Sequence, residues 1–175
     1  MLKRLLLVAV VSLLFIFQAT GSAWAIEMDE SLRTVVYSAE YDFFGDPIPD
    51  SIEYITLTNE EYTYGEREFV KNCGVCHKAG TTKPNPNVTL SLKDLQQAYP
   101  PRDNVVAIVD YLNYPMGYDG EEDLFLEVYH PNTSRPDIFP SMRNYTDDDL
   151  QNIAGYILVQ PELRGILWGG GKVYN

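Results

Sequence analysis

The sequence of 175 residues carries 13 Lys and Arg against 25 Asp and Glu, which gives a formal net charge of −12. A chain this acidic is repelled by phosphate backbones and anionic lipid, so the composition excludes nucleic acid as a partner and favours a basic or metal-rich protein surface. The chain has only 2 Cys and 2 His, so any metal or redox chemistry must use very few side chains.

Residues 1–25 have the pattern of a signal peptide. Lys3 and Arg4 precede an apolar run from Leu5 to Phe17, and small residues close the segment at Ala25. The run is too short for a membrane anchor, which needs about 20 apolar residues. Cleavage after Ala25 removes 2 of the 13 basic residues, which leaves 11 against 25 acidic ones and a net charge of −14 on 150 residues. That length suits one domain.

Residues 26–57 are predicted to form a short β-hairpin within an acidic N-terminal extension. β-Branched and aromatic residues are frequent in Thr34–Tyr37 and Ile52–Thr56, and a turn-rich stretch, Phe44–Pro47, lies between them. The hairpin leads into the main domain, which we assign to residues 58–175.

A first helix is predicted over Glu60–Asn72. Thr58 followed by Glu61 has the spacing of a capping box, and no proline interrupts the sequence before Cys73. This helix therefore delivers the chain to the first cysteine.

Two helices and one acidic loop are predicted between this helix and the last one. A short helix is expected over Ser91–Ala98, ended by Pro100 and Pro101. An amphipathic helix is expected over Asp103–Leu112, with its apolar face in the core. The apolar positions of that helix are Val105, Val106, Ile108, Val109 and Leu112. The acidic segment Tyr118–Asp123 fits a solvated loop better than a calcium site, because ligands spaced for an ion are missing.

The last predicted helix starts from a second capping box, Thr146 with Asp149, and is expected to end at Pro161. Its apolar face contains Leu150, Ile153, Ala154, Ile157 and Leu158. Together these segments predict a mainly α protein with one short N-terminal hairpin.

The chemistry is concentrated in Cys73-Gly74-Val75-Cys76-His77, the C-x-x-C-H arrangement of c-type haem attachment. Two thiols one turn apart can each bond to the porphyrin edge, and the adjacent histidine then ligates the iron. A structural disulfide or a thioredoxin-type pair would leave His77 unexplained, and no βαβ pattern surrounds the motif. A zinc site would need a second pair of cysteines. The motif therefore predicts one covalently bound haem c.

The second axial ligand of the iron stays open at this point, with three candidates downstream. Met142 lies 65 residues after His77 and His130 lies 53 residues after it, while Met116 is closer. The position of Met142 before the last helix slightly favours methionine. His130 precedes Pro131, which would stiffen a loop that presents an imidazole.

From Thr56 to Asn175 the sequence resembles the cytochrome c-550 (PsbV-type) family, the extrinsic lumenal subunits of photosystem II. The resemblance is carried by the haem pentapeptide and by the segments Gly65–Phe69, Pro100–Asn104, Tyr118–Glu121, Asp137–Pro140, Met142–Asn144 and Trp168–Tyr174. It implies a cytochrome c fold in which the first and last helices cross, with Gly65 at the close approach and Phe69 beside Tyr156.

The same resemblance implies that His130 joins His77 as an axial iron ligand, giving a low-potential haem, and that Met142 is a core or loop residue. Two departures from the family pattern accompany it. Tyr129 is an additional residue before His130, and the acidic region 26–51 is longer than usual.

For function, the resemblance implies a subunit without catalytic activity of its own. It would lie in the thylakoid lumen, peripheral to the membrane, on the photosystem II core and the other extrinsic subunits. There it would stabilise the manganese–calcium cluster and its calcium and chloride requirement. Alternatives are a soluble lumenal electron carrier, a divergent paralogue with a separate redox role, and a haem-based sensor or oxidoreductase with an open iron coordination site.

Overall fold

The computed structural model describes residues 28–83, 85–120 and 140–170. This part of the chain contains one two-stranded sheet and four α-helices, joined by short 3₁₀ turns. The strands are β1 (Thr34–Ser38) and β2 (Glu53–Thr56). The helices are α1 (Asn59–Asn72), α2 (Leu92–Gln97), α3 (Val105–Asn113) and α4 (Asp147–Arg164).

The N-terminal hairpin is present as predicted. β1 and β2 pair antiparallel with Thr34 opposite Thr56 and Val35 opposite Ile55, and the register shifts after Val36. The hydroxyls of Thr34 and Thr56 lie 2.7 Å apart across the sheet. Val35 is buried in the core, so the hairpin covers the helices with one of its faces.

Both predicted capping boxes are formed. The Thr58 hydroxyl accepts from the Glu61 N–H and the Glu61 carboxylate accepts from the Thr58 N–H, so α1 begins at Asn59. Thr146 and Asp149 make the same reciprocal pair at the start of α4. These side chains satisfy N–H groups that the first turn of a helix leaves without partners.

The first and last helices cross at Gly65, as the family resemblance implied. A Cβ atom at Gly65 would overlap the carbonyl oxygen of Asn152 and lie 3.0 Å from the Cβ of Tyr156. One turn further along α1, Phe69 packs on Tyr156 with ring centroids 5.3 Å apart, and Trp168 packs on Phe69 at 5.8 Å. The absence of a side chain at Gly65 therefore lets α1 and α4 approach closely enough for these aromatic rings to pack together.

The helix α3 matches its prediction except at one of the predicted core positions. Val105, Ile108 and Leu112 are buried and share a face at spacings of three and four. Val106 is 45% exposed, because one step from Val105 rotates it by about 100° around the helix axis, toward solvent. Asn104 caps the helix by accepting from the Ala107 N–H at 2.8 Å.

The prediction that Pro161 ends the last helix is wrong, because α4 continues to Arg164. A proline inside a helix removes its own N–H donor at a cost that tertiary contacts can offset. Here Leu163 packs against the core and Arg164 Nε donates to Gln160 Oε1 at 2.5 Å. The helix ends instead at Gly165, whose φ of +51° suits glycine.

The helix α4 is the centre of the core and is buried well beyond the predicted apolar stripe. Its buried residues are Leu150, Ile153, Ala154, Gly155, Tyr156, Ile157, Val159 and Gln160. Leu158 is only partly buried and packs against the edge of this cluster. Among the described residues, none of the helices combines the length and apolarity needed to cross a membrane.

Candidate haem site

The haem motif forms a tight turn directly after α1. Cys73 ends the helix, and its N–H donates to the carbonyl of Phe69 at 2.8 Å. The N–H groups of Cys76 and His77 then both donate to the Cys73 carbonyl, at 3.0 and 2.8 Å. The backbone thus places the two cysteines and the histidine within one turn, next to the aromatic cluster at the helix crossing.

The two cysteines lie in different surroundings. Cys73 is partly buried against the core, whereas Cys76 is exposed. Burial, with a smaller contribution from neighbouring Cys76, raises the pKa of the Cys73 thiol to about 11. Cys73 therefore keeps its proton at neutral pH, and both cysteines could supply the thioether bonds that would hold a haem c.

The imidazole of His77 is oriented by the loop that follows it. Its Nδ1 lies 3.2 Å from the carbonyl oxygen of Thr81 and 3.3 Å from the hydroxyl of Thr82. A carbonyl can only accept, so Nδ1 carries the proton and Nε2 keeps its lone pair. Burial lowers the pKa of His77, and the bond to Thr81 acts in the opposite direction. A neutral ring with a free Nε2 is a suitable iron ligand.

Trp168 connects the loop that follows His77 to the segment after α4. Gly80 has a φ of +77°, and a Cβ there would lie 2.6 Å from the Trp168 ring. The indole Nε1 donates to the Leu90 carbonyl at 2.7 Å, and the Gly169 N–H donates to the Ala79 carbonyl at 2.8 Å. The position of His77 is thereby tied to the segment after α4.

A polar cluster on α1 precedes the motif and was not anticipated from the sequence. The Tyr145 hydroxyl donates to the Glu68 carboxylate, which also accepts from Lys71 at 3.0 Å and Arg67 at 2.9 Å. Hydrogen bonding, first from Tyr145 and then from Lys71, lowers the pKa of Glu68 to about 2. Asn72 Nδ2 donates to the Tyr145 hydroxyl at 3.0 Å. The i,i+3 spacing of Glu68 and Lys71 is a sequence signal for their ion pair. No such signal exists for Tyr145, which is 77 positions away from Glu68.

The other candidate iron ligands have different positions. Met142 is fully buried in the hydrophobic core, in the 3₁₀ turn Pro140–Met142 before α4. Met116 is partly buried, and its carbonyl accepts from Arg102 at 3.3 Å. His130 and the adjacent Tyr129 lie outside the described residues. The described part of the chain holds no group of three or more His, Cys, Asp and Glu that could form a metal site of protein ligands alone.

The residues of the motif fit a covalently attached haem. A partly buried thiol and an exposed one lie one turn apart, and an imidazole whose Nδ1 carries the proton follows at once. A haem c needs two thioether bonds and one strong axial nitrogen ligand from such a motif. The residues Cys73, Cys76 and His77 can supply all three.

The protein-family comparison matches residues 27–175 to the family described as "Cytochrome c-550 domain". Photosystem II extrinsic protein V of Synechocystis sp. is 47% identical over 170 residues, covering 97% of this chain and 98% of that protein. The crystal structure of cytochrome c549 superimposes with a TM-score of 0.67 at 41% identity, covering 81% of this chain and 100% of that one.

A second solved structure, the PsbV2 cytochrome from the cyanobacterium Thermosynechococcus elongatus, is similar at a TM-score of 0.51 and 33% identity. The superposition covers 73% of this chain and 86% of that cytochrome. The predicted cytochrome c fold is confirmed by the cytochrome c549 structure. The match over residues 27–175, with these relatives, shows that the chain belongs to the cytochrome c-550 family and is a c-type, haem-binding cytochrome.

Proposed function

We propose that this chain is an extrinsic monohaem subunit of photosystem II in which Cys73 and Cys76 hold the haem covalently and His77 is an axial iron ligand. The observation that carries the proposal is the turn after α1, which presents two thiols and an imidazole whose Nδ1 is hydrogen-bonded to the Thr81 carbonyl. Family membership supports the cofactor.

The protein's own residues determine how the haem is held. When bound, the haem supplies reversible one-electron chemistry at iron. Cys73 and Cys76 would hold the porphyrin edge at the end of α1, and the Thr81 carbonyl keeps the proton on Nδ1 of His77. The hydrogen bond from Nδ1 to the Thr81 carbonyl orients the imidazole ring and increases the electron density available at Nε2.

The second axial ligand in this proposal is His130. Its support is the family resemblance and the presence of only 2 His in the sequence. The deep burial of Met142 in the core agrees with a packing role for that methionine. Two imidazole ligands give a low-spin haem of low potential, since methionine ligation raises the potential.

The role in photosystem II is inferred from relatives named photosystem II extrinsic protein V and from the acidic composition. We place the chain in the thylakoid lumen, after removal of residues 1–25, on the photosystem II core and beside other extrinsic subunits. Its function there is to stabilise the manganese–calcium cluster and retain calcium and chloride. It acts as a structural subunit and not as an enzyme, and residues 26–57 form an extension of the haem domain 58–175.

Two alternatives compete most directly with this proposal, a soluble lumenal electron carrier and a divergent paralogue with a separate redox role. A haem sensor or oxidoreductase would require that His130 is not bound to the iron, contrary to the ligation proposed here. Photosystem II extrinsic protein V of Synechocystis sp. is 47% identical to this chain, whereas the PsbV2 cytochrome is 33% identical. This difference favours the main subunit over the paralogue. A carrier would be expected to exchange electrons rapidly with a soluble lumenal partner and to bind photosystem II only weakly.

Co-purification with photosystem II is the decisive experiment. The haem-loaded mature protein is added to photosystem II membranes washed free of extrinsic subunits, and binding and oxygen evolution at low calcium and chloride are measured. We expect stable binding and restored oxygen evolution. Absence of binding combined with rapid reduction by a soluble donor would instead establish the carrier.

A further inference from the structure

The connection between β1 and β2 presents two phenylalanine side chains to solvent. Phe43 is 97% exposed and Phe44 is 85% exposed, and their rings pack edge to face with centroids 5.6 Å apart. A single exposed apolar side chain is ordinary on a protein surface, whereas adjacent exposed aromatic rings are typical of contact sites.

The backbone around these rings is organised by a small hydrogen-bonded loop. Asp42 Oδ1 accepts from the N–H groups of Phe44 and Asp46 at 2.9 and 3.0 Å. The Gly45 N–H donates to the Asp42 carbonyl at 3.1 Å, and Gly45 adopts a φ of +84° that glycine allows. The loop therefore holds both rings outward in a defined arrangement.

This aromatic loop, residues 40–48, is tied to the haem domain. The Tyr41 hydroxyl donates to the Asp103 carboxylate and accepts from Asn104 Nδ2 at 2.9 Å. Asn104 is buried and caps α3. A contact made by the rings is thus connected rigidly to the body of the cytochrome, which lowers the entropy lost when a partner binds.

The charge around the rings identifies the chemistry of the partner. The exposed acidic residues Glu40, Asp42, Asp46 and Asp50 flank the two phenylalanines along the chain, and the sequence has no Lys or Arg between Arg33 and Arg67. Such an acidic rim is repelled by anionic lipid and by a second copy of this acidic chain. It is complementary to an apolar pocket with a cationic rim on another protein.

We propose that Phe43 and Phe44 are the anchor by which this cytochrome docks into an apolar, Lys- and Arg-rimmed pocket on a protein subunit of its photosystem. The proposal rests on the proposed function and adds the contact that the function requires. Buried aromatic anchors surrounded by charged residues carry a large share of the affinity in protein interfaces.

The test compares binding of haem-loaded variants to washed photosystem II membranes. The double variant Phe43→Ala/Phe44→Ala is expected to bind about tenfold more weakly or worse. Phe43→Leu/Phe44→Leu should recover part of the affinity, because it restores apolar area. The control is Tyr114→Ala, which removes a 65% exposed aromatic side chain at the end of α3 and should leave binding unchanged. All variants should keep the parent's haem spectrum and urea midpoint, since neither phenylalanine contributes to the core.

The outcomes separate this inference from the proposed function. If the parent binds and the double alanine variant binds equally well, the aromatic anchor is wrong and the subunit assignment stands. If the parent does not bind at all, the proposed function fails and the anchor fails with it. Phenylalanine-dependent binding to protein-free vesicles of anionic lipid, or phenylalanine-dependent dimerisation in sedimentation, would also overturn a protein pocket as the partner.

A second variant tests the cationic rim. Asp46→Asn/Asp50→Asn removes two charges and leaves Asp42, which holds the loop, in place. We expect weaker binding at low salt and a smaller dependence of affinity on salt concentration than in the parent. An unchanged salt dependence would contradict a cationic rim at this contact.

Discussion

Gly65 packs directly against the backbone carbonyl of Asn152, so that α1 and α4 touch without an intervening side chain. This contact allows Phe69 to reach Tyr156 and places the end of α1, with its haem motif, against the core. The position of the haem motif therefore depends on the absence of a side chain two turns earlier.

Substitution of Gly65 should destabilise the fold although it improves helix propensity. Gly→Ala at an ordinary helix position is stabilising by about 0.5 to 1 kcal/mol. Gly65→Ala should instead lower the free energy of unfolding, and Gly65→Leu should lower it further, by about 1 to 3 kcal/mol, because the helices must separate. Urea unfolding measures the effect, with Thr63→Leu at an exposed position of α1 as the control. Equal or greater stability of Gly65→Ala would show that the crossing has room for a side chain.

The buried carboxylate of Glu68 should make stability fall at acid pH. Its folded pKa is lowered from 4.5 to about 2, so its contribution is complete above the unfolded pKa and is lost as the pH falls from about 5 toward 2. Tyr145→Phe removes the main stabilising hydrogen bond and should raise the pKa of Glu68, shrinking the loss of stability in this range. Urea midpoints between pH 2 and 6 test this.

The control for Tyr145→Phe is Tyr62→Phe. The Tyr62 hydroxyl accepts from Gln160 Nε2 at 3.0 Å and bonds to no carboxylate of the described residues. This variant should lower stability without altering its slope between pH 2 and 6. If stability falls with the same slope between pH 6 and 2 in the parent and in both variants, Glu68 does not cause the loss of stability at acid pH.

Replacement of His130 should expose the iron if His130 and His77 are its two ligands. His130→Ala should turn the ferric spectrum at least partly high-spin and let exogenous imidazole bind. His130→Met should raise the reduction potential if the sulfur coordinates, because methionine favours ferrous iron and axial ligands spread haem potentials over roughly 0.8 V. Absorption spectra and redox titration are the measurements.

Met142→Leu is the matched control for the ligand experiment. Met142 is 0% exposed within the core, and a Leu of similar volume should preserve packing at a cost under about 1.5 kcal/mol. Its spectrum should equal that of the parent. If His130→Ala keeps the low-spin spectrum and Met142→Leu loses it, the methionine is the ligand.

Binding to photosystem II should weaken with salt. The net charge of −14 expected for the mature chain favours docking on Lys- and Arg-rich surfaces, and exposed ion pairs are screened over about 10 Å at 0.1 M salt and about 3 Å at 1 M. Release during a salt wash, followed by immunoblotting, measures this. Retention of all the protein through a molar wash would indicate a mainly apolar interface.

The features that could be predicted from the sequence alone are local. Both capping boxes, Thr58 with Glu61 and Thr146 with Asp149, involve residues three positions apart, and the haem motif spans one turn. Helix and hairpin positions followed from the same short-range patterns of apolar residues and turn formers. The crossing at Gly65 was anticipated only through the family resemblance, because nothing near Gly65 in the sequence identifies Asn152 as its neighbour.

The remaining features depend on which distant segments the fold brings together. Tyr145 reaches Glu68 from 77 positions away, and Tyr41 reaches Asp103 from 62 positions away. Pro161 stays within α4 because core packing on Leu163 offsets the lost hydrogen bond. Short-range hydrogen bonds are encoded by spacing along the chain, whereas contacts between distant residues exist only once the helices have packed. Tertiary structure therefore decided the stability of the haem site's surroundings, and the local sequence determined the site's chemistry.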